Sequence, residues 1–191
     1  MLVVRNLLSV AVSGLLLSVA MDTAPLLAQS SSLAADSIFI QQASSSGLLQ
    51  VKLGQLAEKR GTSPAVVEFG KRMVADYSKA NEELKSAAKQ AAFPAPVLLR
   101  QDQQIFDRFN GLGRSSFDKA YMSEMVKQHG EELRLYQRES SGGRVKSLKE
   151  LASRMLPDLQ QRLSLATQTA GSVGADVTAS KSDAGEKAGS Y

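Results

Sequence analysis

Between Val66 and Leu84 the chain places Val66, Phe69, Met73, Tyr77, Ala80 and Leu84 at alternating steps of three and four residues. That spacing follows the turn of an α-helix; a strand would bury every second residue instead. Similar stripes recur in Ile38, Leu48, Val51, Leu53, Leu56 and Ala57, in Phe117, Tyr121, Met125, His129, Leu133 and Tyr136, and in Leu148, Leu151, Met155, Leu159, Leu163 and Ala166. Each stripe is too apolar to face water and must be covered by the others, so the spacing predicts an all-α bundle. Aromatic residues make up only 5% of the chain, and Ala, Leu, Gln, Lys and Glu favour helix over strand almost throughout.

Breakers set the expected boundaries. A first helix from about Ala34 stops at Arg60, before Gly61. Thr62 or Ser63 caps a second, Pro64 occupies its first position, and it ends near Ala92 ahead of Pro94 and Pro96. A shorter amphipathic piece, about Val97 to Asn110, reads as a crossover. The third long helix starts at Ser115 or Ser116 and ends at Ser141, Gly142 and Gly143; the fourth runs from about Val145 to Thr169. Pro157 predicts a bend or restart near Leu156 in that last helix. Four helices of ~25 residues, each ~38 Å long at ~1.5 Å per residue, with one long connection, define a ferritin-like four-helix bundle with a short crossover helix. The bundle is expected over residues 34–170; residues 171–191 lack apolar periodicity and read as a disordered tail.

The N-terminus carries Arg5, then an apolar run from Leu7 to Ala20, then small residues ending at Ala20 or Ala28. That order is a secretory signal peptide, and the run is short of the ~20 residues a spanning helix needs. Residues 1–28 are therefore expected to direct export to the periplasm, the outer membrane or the medium. No later segment reads as transmembrane.

The chain has no cysteine, which excludes disulfides, thiolate metal sites and thiol nucleophiles. Its net charge of +4 persists after loss of the leader, which removes Arg5 and Asp22 together. Arg144, Lys146, Lys149 and Arg154 project in different directions around a helix, so the basic residues read as a solvated surface and no nucleic-acid partner is expected.

The stretch MVADYSKANEEL, residues 73–84, has a partial echo in MVKQHGEELRL, residues 125–135. Aligning them pairs Met73 with Met125, Val74 with Val126, Asp76 with Gln128, Tyr77 with His129 and Phe69 with Tyr121; RMLPDL adds a fainter copy with Met155. Helices in equivalent places of a bundle face equivalent packing demands. Together with VKLGQLAEKRGTSPAVVEFGKRMVADYSKANEEL, FDKAYMSEMVKQHGEELRLYQRE and LKELASRMLPDLQQRLSLA, these residues resemble the bacterial family Domain of Unknown Function 4142 over about residues 34–170. FDKAYMSEMVKQH is more distantly similar to Domain of Unknown Function 305, some of whose members are linked to copper. The first resemblance implies an exported, ferritin-like bundle, often labelled a predicted outer membrane protein, and implies no activity. It also implies that Tyr77 and Arg162 stand where His is common and Gln50 where Glu is common, leaving His129 alone.

A di-iron centre of the ferritin type needs several carboxylates and two Glu-x-x-His pairs; one histidine in the chain excludes it. No phosphate-binding glycine loop or dinucleotide fingerprint is present, and His129 has no nucleophile turn beside it. The chain is thus expected not to be an enzyme. Met122, Met125 and His129 share one helix face, with Met73 and Met155 at equivalent repeat positions, and thioethers with imidazole suit copper. The same residues also read as core packing, with Met filling irregular gaps and His129 hydrogen-bonding to Tyr77 or a carboxylate, and this is the preferred reading. Tyr77 and Asp76 are the remaining inward polar candidates. The expectation is a non-enzymatic envelope protein, stress-related or binding an unidentified envelope component, with periplasmic copper binding as the alternative.

Overall fold

The computed structural model describes residues 24–177, with side-chain burial from residue 34 onward. The leader up to residue 23 and the tail from residue 178 lie outside the described residues. Five helices follow in order: α1 (Ala24–Arg60), α2 (Pro64–Gln90), α3 (Arg100–Gly111), α4 (Arg114–Gly142) and α5 (Lys146–Ser172). The described residues form no strand, and none of their helices is long and apolar enough to cross a membrane.

Helices α1 and α2 form one hairpin and α4 and α5 another; α1 packs on α4, and α2 on α5. Helices α2 and α4 are therefore diagonal partners. Asp118, near the start of α4, binds the start of α2, so these two helices begin at the same end. The short α3, lying against α1, carries the chain back to that end. This is the ferritin-like bundle with a crossover that the stripes predict.

Two apolar clusters fill the interior. One joins Leu49, Leu53, Phe69, Met73, Tyr77, Phe109, Phe117, Tyr121, Met122 and Met125; the other joins Phe39, Ile40, Leu84, Tyr136, Leu148, Leu151, Met155 and Leu159. Full burial of each large side chain contributes roughly 1.5–3 kcal/mol. Close backbone contact tightens the first hairpin: a Cβ added at Gly70 would lie 2.8 Å from both the Ala57 Cβ and the Gly54 carbonyl oxygen. Only glycine admits that approach.

Several boundaries differ from expectation. Helix α1 begins ten residues earlier than Ala34, since Leu26 to Leu33 contains no breaker and Pro25 sits in the first turn, where its missing N–H is harmless. Helix α5 continues to Ser172 as one helix through Pro157, so of the expected bend or restart the restart does not occur. Pro157 and Ser153 are both exposed, so the Ser153 carbonyl deprived of its helical donor meets water. Ile38, taken for the α1 stripe, is 52% exposed, while Phe39 and Ile40 are buried.

The starts of α2, α3 and α5 are satisfied across the bundle, not by their own caps. Ser63 makes no side-chain cap bond on α2. Instead the Asp118 carboxylate accepts from the Ser63 N–H at 2.7 Å, the Thr62 N–H at 3.1 Å and the Thr62 hydroxyl at 2.6 Å. At α5 the fully buried Asp36 accepts from the N–H groups of Arg144 at 3.0 Å and Val145 at 3.1 Å. At α3 the Ser45 hydroxyl accepts from the Leu99 N–H at 2.7 Å and donates to Asp102. Each long-range cap ties a helix N-terminus to a different helix, fixing their relative height.

Candidate functional site

The antiparallel register of α1 and α2 sets the level of the polar centre. Gly47 faces Asn81, and Gly54 faces Gly70 and Val74, which places Gln50 level with Tyr77. Gln50, Tyr77, His129 and Arg162, one from each long helix, are all buried, with Glu132 one turn beyond His129. Sequence resemblance singles out the first four; Glu132 is the addition the structure makes.

The Tyr77 hydroxyl donates to Glu132, and the Arg162 guanidinium lies over the Tyr77 ring, 4.8 Å from its centroid. The His129 ring meets Tyr77 edge-on at 5.9 Å and Phe69 at 6.1 Å. Phe69 likewise meets Tyr121, its repeat partner, at 6.0 Å. Repeat partners Tyr77 and His129, and Phe69 and Tyr121, thus touch across the diagonal of the bundle.

Burial sets the protonation states. Burial pushes the Glu132 carboxyl up to about 7, against the opposing pull of the Tyr77 hydrogen bond and Arg162. Burial lowers His129 to about 4, helped by Arg162 and opposed by its bond to the Met125 carbonyl. Tyr77 is held well above its ordinary value, first by burial and then by Glu132. For Arg162, burial acts downward, and Tyr77, Glu132 and Asp76 more than offset it. The centre therefore holds a neutral imidazole, a neutral phenol and a guanidinium at neutral pH, with Glu132 near its midpoint.

His129 Nδ1 lies 2.7 Å from the Met125 carbonyl oxygen of its own helix. A carbonyl only accepts, so the proton sits on Nδ1 and Nε2 carries the lone pair. That Nε2, both polar atoms of Gln50, and Nε and Nη1 of Arg162 are buried without hydrogen-bond partners. Asp76 stands at the edge, its side chain 32% exposed between Arg72 at 3.4 Å and Arg162 at 3.6 Å. Of the two inward candidates, Tyr77 is in the core and Asp76 at its rim.

Met122 and Met125 are fully buried in the same cluster as Met73. Met155 belongs to the other cluster, so it does not complete a methionine set around His129. Among the described residues no three His, Cys, Asp or Glu side chains gather to hold a metal ion. The residues present do not fit a ferritin-type di-iron centre.

Beside this centre, a cavity of about 380 Å³ opens between α1, α3 and α4, and Glu132 is one of its walls. Asp102 and Gln128, neither of them apparent from the apolar stripes, line it as well.

Four long helices around a buried polar layer define the chain as an all-helical bundle protein of the ferritin-like type. It belongs to the family described as a domain of unknown function, DUF4142, whose model matches residues 22–169. No curated protein and no solved structure matches the chain.

Proposed function

We propose that this chain is an exported protein of the bacterial envelope that acts without catalysis, as a helical module engaging another envelope component, with a role in stress protection. One observation carries the reading: Tyr77, Glu132 and Arg162, groups that chemistry would use, are engaged with one another inside the bundle. Tyr77 bonds Glu132, Arg162 covers Tyr77, and His129 bonds its own backbone. Such a layer fixes helix height and rotation, a role buried polar groups serve in bundles. The address rests on the leader pattern of residues 1–28.

The test is fractionation of cells producing the full chain, together with complementation of a deletion strain under envelope stress. The account expects the protein outside the cytoplasm and expects His129→Gln to complement like wild type. Cytoplasmic retention, or complementation lost with a folded His129→Gln protein, contradicts it.

The copper reading keeps one supporting observation, the free lone pair on buried His129 Nε2 on a face shared with Met122 and Met125. Against it stands Arg162, a cation already buried close enough to depress His129. It predicts Cu(I) binding that His129→Ala abolishes without unfolding the bundle.

A further inference from the structure

The cavity between α1, α3 and α4 has an inner wall whose polar groups share one chemical property, while the cations Lys127 and Arg138 stand in its outer lining. Three of its polar side chains are themselves nearly buried: Asp102, Gln128 and Glu132 are 6%, 7% and 4% exposed. Each has one polar atom committed to the protein. Asp102 Oδ2 accepts from Ser45, Gln128 Nε2 donates to Glu124 Oε1 at 2.8 Å, and Glu132 Oε2 accepts from Tyr77. The bond to Glu124 fixes the orientation of the Gln128 amide. What each side chain retains is an oxygen: Oδ1 of Asp102, Oε1 of Gln128 and Oε1 of Glu132. With its carboxyls ionised the inner wall therefore offers acceptors, and a complementary ligand must supply N–H donors.

Two of those acceptors are carboxyls that burial pushes upward, with only hydroxyl groups bonded to them. A bound cation would offset that burial, as a hydrogen-bonding counter-charge does for any buried carboxylate. Arg162 acts on Glu132 only through its charge, and it is engaged with Tyr77 and Asp76. On the outer wall Lys127 pairs with Glu131 at 4.0 Å. With a volume of about 380 Å³, the cavity lies at the small end of ligand sites, room for a compact molecule and not for a polymer. Asp102 and Glu132 with one amide do not make a metal site, and no metal-ligating group of three occurs among the described residues.

We propose that this cavity binds a small organic amine, its ammonium N–H groups donating to Asp102, Gln128 and Glu132. The site shares Glu132 with the His129 layer and is independent of where the protein resides, so the fractionation outcome does not bear on it.

The test is calorimetric titration of the full chain with 1,4-diaminobutane, with tetramethylammonium as a cation lacking N–H donors and acetate as an anion. Saturable diamine binding is expected, with neither control bound. Asp102→Asn keeps the acceptor for Ser45 and Glu132→Gln keeps one for Tyr77, so both variants retain the native bonds; each is expected to weaken the diamine by about tenfold or more while circular dichroism stays native. Because Glu132 is also part of the core, Asp102→Asn, at the cavity's other wall, is the cleaner variant. No saturable diamine binding, equal binding of tetramethylammonium, or unchanged affinity in a folded Asp102→Asn protein overturns the proposal.

Discussion

Replacing Glu132 with Gln exchanges a buried titratable group for a neutral one of the same shape, with an acceptor still available to Tyr77. Burial raises the Glu132 carboxyl from 4.5 to about 7, so the folded protein holds its proton where the unfolded chain has released it. The sign follows from linkage: the stability this group contributes is complete below its unfolded value and is lost as pH rises through the folded value. A shift of this size corresponds to a loss on the order of 3 kcal/mol between about pH 4 and about pH 8. Glutamine has no proton to lose. Glu132→Gln should match wild type near pH 4, where Glu132 is neutral too, and gain on it progressively, by ~3 kcal/mol at about pH 8. Urea unfolding followed by far-UV circular dichroism across that range measures the difference. A flat difference, or one in which wild type gains at high pH, would show that Arg162 stabilises a carboxylate at this position, and the protonation assigned to the polar centre would be wrong.

Four other outcomes follow. His129 is depressed to about 4, so its contribution is present above its unfolded value of 6.5 and lost as pH falls toward 4, opposite in sign to Glu132; His129→Gln should therefore reduce acid sensitivity in the same urea series. Asp118→Ala, which leaves two backbone N–H groups at the start of α2 without an acceptor, should cost about 1–3 kcal/mol, whereas Ser63→Ala, whose side chain caps nothing, should stay within about 0.5 kcal/mol of wild type in thermal unfolding. Gly70→Ala forces a Cβ to 2.8 Å from Gly54 and Ala57 and should lower stability by about 1–3 kcal/mol through separation of α1 and α2, read as a lower urea midpoint. Ala92, at φ 58 just after α2, should favour glycine, with Ala92→Gly raising stability by ~1 kcal/mol in the same assay.

The apolar stripes made the helices legible, and every residue named on α2, from Val66 to Leu84, is buried. The polar centre was legible only in part, and the reason is visible at two neighbouring pairs. The steps from Met125 to His129 and Tyr136, and from Leu159 to Ala166, admit either of two adjacent positions between them. Apolarity selects Leu133 and Leu163; the structure buries Glu132 and Arg162 there and leaves the leucines half-covered. A buried charge is stabilised by partners on other helices, and a single helix pattern carries no information about them. The same holds for Asp36 and Asp118, whose partners are backbone N–H groups of residues 144–145 and 62–63. The repeat was the more informative signal, because Tyr77 and His129 occupy matching places and meet at the centre.

The central claim is that this polar layer holds the helices together and is not a metal site. Titration of the purified protein with Cu(I), Cu(II), Zn(II) and Fe(II), comparing wild type with His129→Ala, tests it most directly. The account predicts no saturable binding of any of the four to either protein. Tight stoichiometric Cu(I) binding that disappears in a folded His129→Ala protein would contradict it and make His129, Met122 and Met125 a copper site.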